Sequence, residues 1–190
     1  MKKSLGAATH VMPTPVWLVG TYDKEGKPNI ATVAWGGVCC SDPASVAISL
    51  RKSRHTYNAI LERQAFTINV ASESFAREAD YAGIASGRDV DKFAAAGLTP
   101  VRSDLVDAPY VAEFPLVIEC RLLQTVEVGV HTQFIGEIID VKAEEDVLDA
   151  NGVLDATKVL PLVYSPANRT YYRLGTAVGK GFDIGKELIK

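Results

Sequence analysis

Cysteine is scarce in this chain of 190 residues, and its scarcity excludes one class of small protein. Three cysteines cannot pair into the disulfide framework that stabilises many small secreted domains. Because thiols persist in a reducing compartment, we expect a cytoplasmic protein.

Neither sign of charge is in large excess. The 20 lysines and arginines against 23 aspartates and glutamates give a net charge of −3. Nucleic-acid-binding domains usually carry a strongly basic surface, so we expect no nucleic-acid partner.

A long apolar run is also missing. The uncharged stretch from Ser4 to Tyr22 is interrupted by His10, Pro13 and Pro15, so it predicts neither a spanning helix nor a signal peptide. We therefore expect no membrane partner. Hydrophobic residues still make up 47% of the chain, which is enough for the core of one globular domain.

Several widespread motifs are absent. The sequence has no G-x-G-x-x-G, no G-x-x-x-x-G-K-[ST] and no G-x-S-x-G, which argues against dinucleotide dehydrogenases, nucleotide triphosphatases and α/β-hydrolases. Its three cysteines and three histidines never reach the spacing of a zinc site, so we expect no metal.

Strand patterns dominate what the sequence does contain. Residues 16–22 and 29–35 are rich in β-branched and aromatic side chains and flank the polar stretch 23–28, which predicts a hairpin. Alternation or β-branched composition predicts further strands at 46–50, 66–70, 115–128, 132–143 and 171–174.

Helices are predicted between these strands. Tyr57, Ile60 and Leu61 have helical spacing, and Ser53 or Thr56 can cap that helix. Two short helices are expected over 74–96, the second capped by Asp89, and a final helical turn over 186–189. This order does not fit a doubly wound parallel sheet and favours a small antiparallel barrel.

The densest polar cluster is the turn of residues 51–56, which holds three fixed cations, a histidine and two hydroxyls between a strand and a helix. A helix start with such neighbours suits a phosphate group. The alternative is an ordinary solvated basic turn.

Other residues of interest also have two interpretations. Trp35 before two glycines suits a flat ligand, or a turn beside a core tryptophan. Cys39 and Cys40 suggest redox chemistry, but a vicinal disulfide closes a strained ring, so we expect two free thiols at a strand edge. Lys92 is either part of a ligand site or an ordinary surface charge. His131 is either a titrating group of a ligand site or an ordinary turn residue.

Several segments together resemble the flavin-reductase-like family of FMN-binding split barrels over residues 10–175. No single segment is as distinctive as a nucleotide-binding loop, but their order and spacing are. The segments are Met12–Val19, Pro28–Trp35, Ser53–Thr56, Phe66–Val70, Ser86–Gly87 and Asp91–Phe93.

The resemblance implies a mainly β fold with inserted helices, a six-stranded antiparallel split barrel. It implies a single domain over 1–190, with a core of about 10–175 and a tail from 176 to 190. It also implies a homodimer with one FMN per subunit near the dimer interface.

The same resemblance implies which residues contact FMN. Along the strand that passes the isoalloxazine ring and the ribityl chain they are Asn29, Thr32 and Trp35. The phosphate is expected at Ser53 and Thr56, together with Lys52 or Arg54. A further hydrogen bond or charge is expected from Lys92, and closure of the pocket from His131 and Tyr164.

The function implied is redox chemistry on FMN, with no catalytic side chain required. We expect a flavoprotein that transfers electrons from a reduced donor to an acceptor, with a protein or a nicotinamide as its redox partner. The alternatives are an NAD(P)H-dependent flavin reductase that supplies reduced flavin to a partner, and a non-catalytic flavin-binding module. Pyridoxamine-phosphate oxidases share the barrel, but their motifs find no match here.

Overall fold

Antiparallel strands make up most of the regular structure in the computed structural model, which describes residues 1–189. The strands are β1 (Thr14–Pro15), β2 (Trp17–Tyr22), β3 (Pro28–Val33), β4 (Gly36–Ser41), β5 (Ala44–Arg51), β6 (Ala65–Val70), β7 (Pro100–Arg102), β8 (Pro109–Val111), β9 (Leu116–Val128), β10 (His131–Ala143), β11 (Leu162–Ser165) and β12 (Thr170–Arg173).

Helices occupy the connections, as predicted. The α-helices are α1 (His55–Arg63), α2 (Ala76–Ile84), α3 (Lys92–Ala96) and α4 (Ala156–Val159). Short 3₁₀ turns lie at Glu73–Phe75, Glu145–Val147 and Lys186–Leu188, and the last of these is the predicted final turn. None of the helices in residues 1–189 is long and apolar enough to span a membrane.

The main sheet has seven strands in the order β3-β2-β6-β9-β10-β5-β4, and all of its neighbours are antiparallel. The predicted mainly β, antiparallel fold is confirmed. The predicted number of six strands is wrong, because the main sheet has a seventh strand, the edge strand β4. The sheet curls so that β3 lies near β5, and the Ser49 N–H donates to the Trp35 carbonyl at 2.8 Å. Two small sheets, β1-β11-β12 and β7-β8, complete the fold.

The sheet separates the two larger of three apolar cores, because successive side chains of a strand point to opposite faces. On β2, Val19 packs inside the barrel with Phe66 and Phe134. Its neighbour Leu18 packs on the outer face with Phe93 and with residues of α2. The outer face of the sheet is therefore covered by α2 and α3, and α3 carries one of the predicted site residues, Lys92.

The predicted helix caps are wrong in both cases. The N-cap of α1 is Arg54, and it makes no side-chain capping bond. Thr56 lies inside the helix, where its hydroxyl accepts a hydrogen bond from Asn29 Nδ2. Helix α3 begins after Asp91, whose carboxylate accepts from the Ala94 N–H, because Asp89 still belongs to the preceding turn.

The predicted hairpin is confirmed, and the two long predicted strands, β9 and β10, also pair as a hairpin. Strands β2 and β3 pair around a turn in which the Asp23 carboxylate accepts from the Glu25 and Lys27 N–H groups. Strands β9 and β10 pair around Gly129, whose φ of +56° suits a glycine. This second hairpin delivers His131 to the end of β5, opposite Arg51.

Candidate functional site

A cavity of about 600 Å³ lies where the ends of β3 and β5 meet the start of β10. The residue before α1, the C-terminal part of α2 and the small sheet of β11 and β12 close its other sides. Sites that bind small molecules or cofactors typically have this size.

Three arginines from separate segments line this cavity: Arg51 at the end of β5, Arg54 before α1, and Arg169 between β11 and β12. Within residues 1–189, none of them has a carboxylate partner within 4.0 Å. A cavity lined by such cations attracts an anion, even in a protein whose net charge is negative.

The one acidic side chain in the cavity lining is Asp80 on α2. Its carboxylate accepts a hydrogen bond from the Tyr171 hydroxyl at 2.9 Å. Burial and this carboxylate raise the pKa of Tyr171, so the hydroxyl keeps its proton and holds Asp80 in place. Asp80 therefore offsets only one of the three arginine charges.

The start of α1 adds to the positive potential near Arg54. The first N–H groups of a helix have no partner inside the helix, and its dipole is positive at that end. The Arg54 guanidinium also lies 3.5 Å from the Gly83 carbonyl oxygen at the end of α2. The predicted phosphate-binding turn thus reaches the cavity through Arg51 and Arg54.

Two other residues of that turn do not line the cavity. Lys52 forms an ion pair with Glu127 at 2.8 Å, on the β9–β10 side. Ser53 is exposed, and no hydrogen bond involves its hydroxyl within residues 1–189. Contacts between these two residues and a flavin stay predictions.

Four further predicted residues do line the cavity: Thr32, Trp35, His131 and Tyr164. The Thr32 hydroxyl donates to the Ala79 carbonyl, which joins β3 to α2. Trp35 remains 41% exposed and belongs to none of the three cores, which favours the ligand interpretation of this residue. Tyr164 lies with its ring centroid 5.3 Å from that of Tyr171, so two aromatic rings stand together at the opposite wall.

Asn29 and Thr56 lie behind the cavity, in a buried polar cluster with His55 and Gly87. Asn29 Nδ2 donates to Thr56 Oγ1 at 3.1 Å, while Asn29 Oδ1 and His55 Nε2 have no hydrogen-bond partner within residues 1–189. A Cβ at Gly87 would lie 2.1 Å from Asn29 Oδ1, so only glycine fits there. His55 Nε2 lies 4.0 Å from the Asp23 carboxylate, so Asn29 Oδ1 is the polar atom of this cluster that has neither a hydrogen bond nor an ion pair within residues 1–189.

Lys92 also lies behind the cavity. Its ammonium donates to the Ile30 carbonyl on β3 at 2.8 Å and to the Ala82 carbonyl on α2 at 2.7 Å. Burial, and after it the charge of Arg54, lowers the pKa of Lys92 to about 8. Lys92 thus positions two walls of the cavity, and a direct contact with a ligand stays a prediction.

Sequence reasoning missed several residues of the cavity. Arg51 was visible as the first residue of the basic turn, but the resemblance did not single it out. Asp80, Arg169 and Tyr171 carry no local signal, because only the tertiary fold brings α2 and the β11–β12 hairpin to the end of β5.

Comparisons with known proteins agree with this architecture. A sequence model described as flavin reductase like domain matches residues 9–175. Flavoredoxin of Desulfovibrio vulgaris (Miyazaki F) is 54% identical, with a TM-score of 0.94 over 97% of this chain and 100% of that chain. Flavoredoxin from Methanosarcina acetivorans is 28% identical, with a TM-score of 0.89 over 100% of this chain and 98% of that one.

A third relative has a different length. High molecular weight rubredoxin of Moorella thermoacetica is 37% identical over 106 residues, which are 53% of this chain and 43% of that protein. The likeness therefore covers only part of each chain.

Proposed function

The chain belongs to the flavin reductase-like family of split-barrel proteins, and from this premise we propose that it holds one FMN and transfers electrons between a reduced donor and an acceptor. The family predicted from the sequence motifs is confirmed, and within that family the chain is similar to flavoredoxin. The proposed role is that of an electron carrier in the cytoplasm.

The cationic cavity is the observation that carries this proposal. FMN has a phosphate with nearly two negative charges at neutral pH and a flat ring that stacks on aromatic side chains. Arg51, Arg54 and the start of α1 supply the charge for the phosphate, while Trp35 and Tyr164 supply aromatic surface for the ring. The cavity volume of about 600 Å³ is in the range of such ligand sites.

The residues of this chain would bind FMN and tune its redox properties, and FMN would supply the electron chemistry. Thr32 and Asn29 lie on β3, which runs along one wall of the proposed site. His131 closes the side that faces the β9–β10 hairpin. A cation of this cavity beside the ring would favour the reduced, more negative state of FMN, because reduction adds negative charge.

The similarity to flavoredoxin favours a carrier that retains its flavin over a reductase that releases it. An NAD(P)H-dependent flavin reductase would use the same cavity, but would treat flavin as a substrate. A non-catalytic module would hold FMN without exchanging electrons with any donor. We also propose that the chain forms a homodimer. Its redox partner is proposed to be a protein or a nicotinamide.

The deciding experiment is a visible absorption spectrum of the purified protein before and after desalting, with the released chromophore identified by mass spectrometry. Flavin bands that survive desalting, from a chromophore with the mass of FMN, support the carrier. Bands that vanish and return on addition of FMN support the reductase instead. Absence of flavin binding in both conditions contradicts the proposal.

A further inference from the structure

The vicinal thiols Cys39 and Cys40 have no part in the proposed function. Both are free, and both are exposed on β4, which is an edge strand of the main sheet. Cys40 Sγ lies 3.3 Å from the Asp42 carbonyl oxygen. Because a thiol is a weak hydrogen-bond donor, this contact costs little to break. Both sulfur atoms are therefore accessible to a reagent in solution.

A β-bulge interrupts β4 at these thiols. Val38 pairs with Val46 and Cys40 pairs with Ser45, so Cys39 is an extra residue without its own partner on β5. Cross-strand partners share a face of the sheet, whereas adjacent residues of a regular strand alternate between faces. Since Val46 and Ser45 are adjacent, Val38 and Cys40 lie on opposite faces although they are two residues apart. The alternation is therefore broken at Cys39.

Cys39 lies on the same face as Cys40. Gly37 pairs with Ala47 and Cys40 pairs with Ser45, two residues apart on β5, which puts Gly37 and Cys40 on one face. Cys39 lines a common space with Gly37 and Ala47 and so belongs to that face as well. The bulge thus brings two thiols to one side of the sheet, on Cα atoms about 3.8 Å apart.

This placement restricts what the two sulfurs can bind together. A direct bond between them closes a strained ring, whereas one bridging atom enlarges the ring and lets the sulfurs stay further apart. Zinc requires four ligands, and no group of three or more His, Cys, Asp or Glu side chains within residues 1–189 could hold a metal ion. A linear two-coordinate ion needs its sulfurs on opposite sides, which adjacent thiols on one face do not offer. Trivalent arsenic bonds two sulfurs at a bent angle and carries its third group from solution.

We propose that Cys39 and Cys40 form a site that chelates a trivalent arsenical. With phenylarsine oxide, two As–S bonds form and the bond between arsenic and oxygen breaks. The oxygen leaves as water together with the two thiol protons, and arsenic stays trivalent. The step therefore needs neither an oxidant nor a reductant. It also does not involve FMN, so the inference is independent of the proposed function.

The experiment measures the mass of the intact protein by native mass spectrometry, after addition of phenylarsine oxide and then of excess glutathione. One phenylarsenic group per chain is expected. It should survive glutathione, because each thiol of the pair rebinds at the high effective concentration set by its neighbour. The dithiol 2,3-dimercaptopropanol offers two sulfurs at once and should remove it.

Single substitutions test whether both thiols are required. Cys39→Ser and Cys40→Ser each leave one exposed thiol, and each should weaken binding of the arsenical by about 100-fold or more, because chelation is lost. The remaining thiol, Cys120, does not replace them. It is buried, and burial raises its pKa to about 12, so it stays protonated and out of reach.

A matched control tests the bulge itself. Cys40→Ser combined with Ser41→Cys keeps two exposed thiols on β4 but places them on opposite faces, since Ser41 pairs with Ala44. This double variant should bind the arsenical as weakly as Cys40→Ser alone. Circular dichroism of each variant shows that the fold is retained, so that weak binding reports on the thiols.

Three results would overturn the inference. The first is loss of the arsenical to glutathione as readily from the wild type as from Cys40→Ser. The second is wild-type affinity in the double variant with Ser41→Cys, which would remove the role of the bulge. The third is one phenylarsenic group per two chains, which would mean that each of two copies supplies one thiol. Flavin absorbance of the same samples reports on the proposed function separately.

Discussion

At the scale of single residues, the basic turn 51–56 shows how far sequence reasoning reaches. Its charge correctly marked a region of the cavity, because Arg51 and Arg54 line it. Which of the six residues face inward depended on the exact end of β5 and start of α1, and Lys52 turns instead to Glu127. Arg169 could not be predicted, because the other residues that line the cavity with it are distant in sequence.

Removal of one cavity arginine should weaken FMN binding. Arg51→Gln is expected to raise the Kd of FMN by about tenfold or more, because a charge-assisted hydrogen bond contributes about 1.5–3 kcal/mol. The measurement is a fluorescence titration of protein from which the flavin has been removed. Arg121→Gln is the matched control, since Arg121 pairs with Glu137 away from the cavity. Equal Kd values for both variants would show that Arg51 does not contact the phosphate.

Lys92 is the residue for which the pattern and the structure differ most. A lysine at the start of a short helix is usually a solvated charge. Here its side chain is buried, because the ammonium reaches two carbonyl oxygens at the ends of β3 and α2. No local pattern indicates this burial, because it depends on how α2 and α3 pack on the sheet.

This burial predicts a specific pH dependence of stability. The pKa of Lys92 is about 8 in the folded protein and 10.5 for an ordinary lysine, so between these values the unfolded chain binds more protons. The free energy of unfolding should therefore rise with pH in this window, relative to a Lys92→Met variant. Urea unfolding of both proteins at several pH values checks this, and a difference that stays constant or falls as pH rises contradicts it.

At the scale of elements, composition and alternation predicted most strands of the main sheet but missed its edge strand β4, together with the short strands β1, β7, β8 and β11. Strands β2, β3, β6, β9 and β10 have buried faces that impose a regular pattern, and all were found. Strand β4 is exposed over most of its length and begins with two glycines, so it carries no alternation. It forms because β5 offers an open edge, which is a property of the sheet and not of the segment.

The β9–β10 hairpin depends on a glycine inside the barrel. The register between the two strands shifts at Gly136, where a Cβ would lie 2.6 Å from Phe66 Cζ and 3.1 Å from Cys120 Cβ. Because Phe66 is fully buried, it has no space to withdraw. Gly136→Ala is therefore expected to destabilise the protein by about 1–3 kcal/mol.

Urea unfolding measures this effect, and Gly37→Ala is the matched control in a strand. A Cβ at Gly37 meets no atom within 4 Å, so the free energy of unfolding of the Gly37→Ala protein should differ from that of the wild type by less than about 0.5 kcal/mol. Equal stability of the Gly136→Ala protein and the wild type would mean that β10 moves away from Phe66 without loss.

At the scale of the whole molecule, the apolar cores leave both ends of the chain uncovered. Residues 1–13 and 172–189 are exposed throughout, and they include Val11, Leu174 and Phe182. The tip of the β9–β10 hairpin is apolar as well, with Val128 and Val130 exposed beside His131. Val128 and Val130 lie close together at this tip, and a contiguous exposed apolar patch is typical of a surface that meets another chain.

A homodimer that uses the hairpin tip is the last prediction. The wild-type protein should sediment near twice the 20.4 kDa of the chain, since a stable interface buries about 800 Å² on each partner. The double variant Val128→Lys, Val130→Lys should shift towards the monomer, because two desolvated charges of like sign oppose association.

Val153→Lys is the control, since Val153 is equally exposed but lies in the turn before α4. A wild-type protein that sediments as a monomer, or a double variant that remains dimeric, would place the interface elsewhere or remove it. If the double variant also loses FMN on desalting, the wall around His131 depends on the partner subunit.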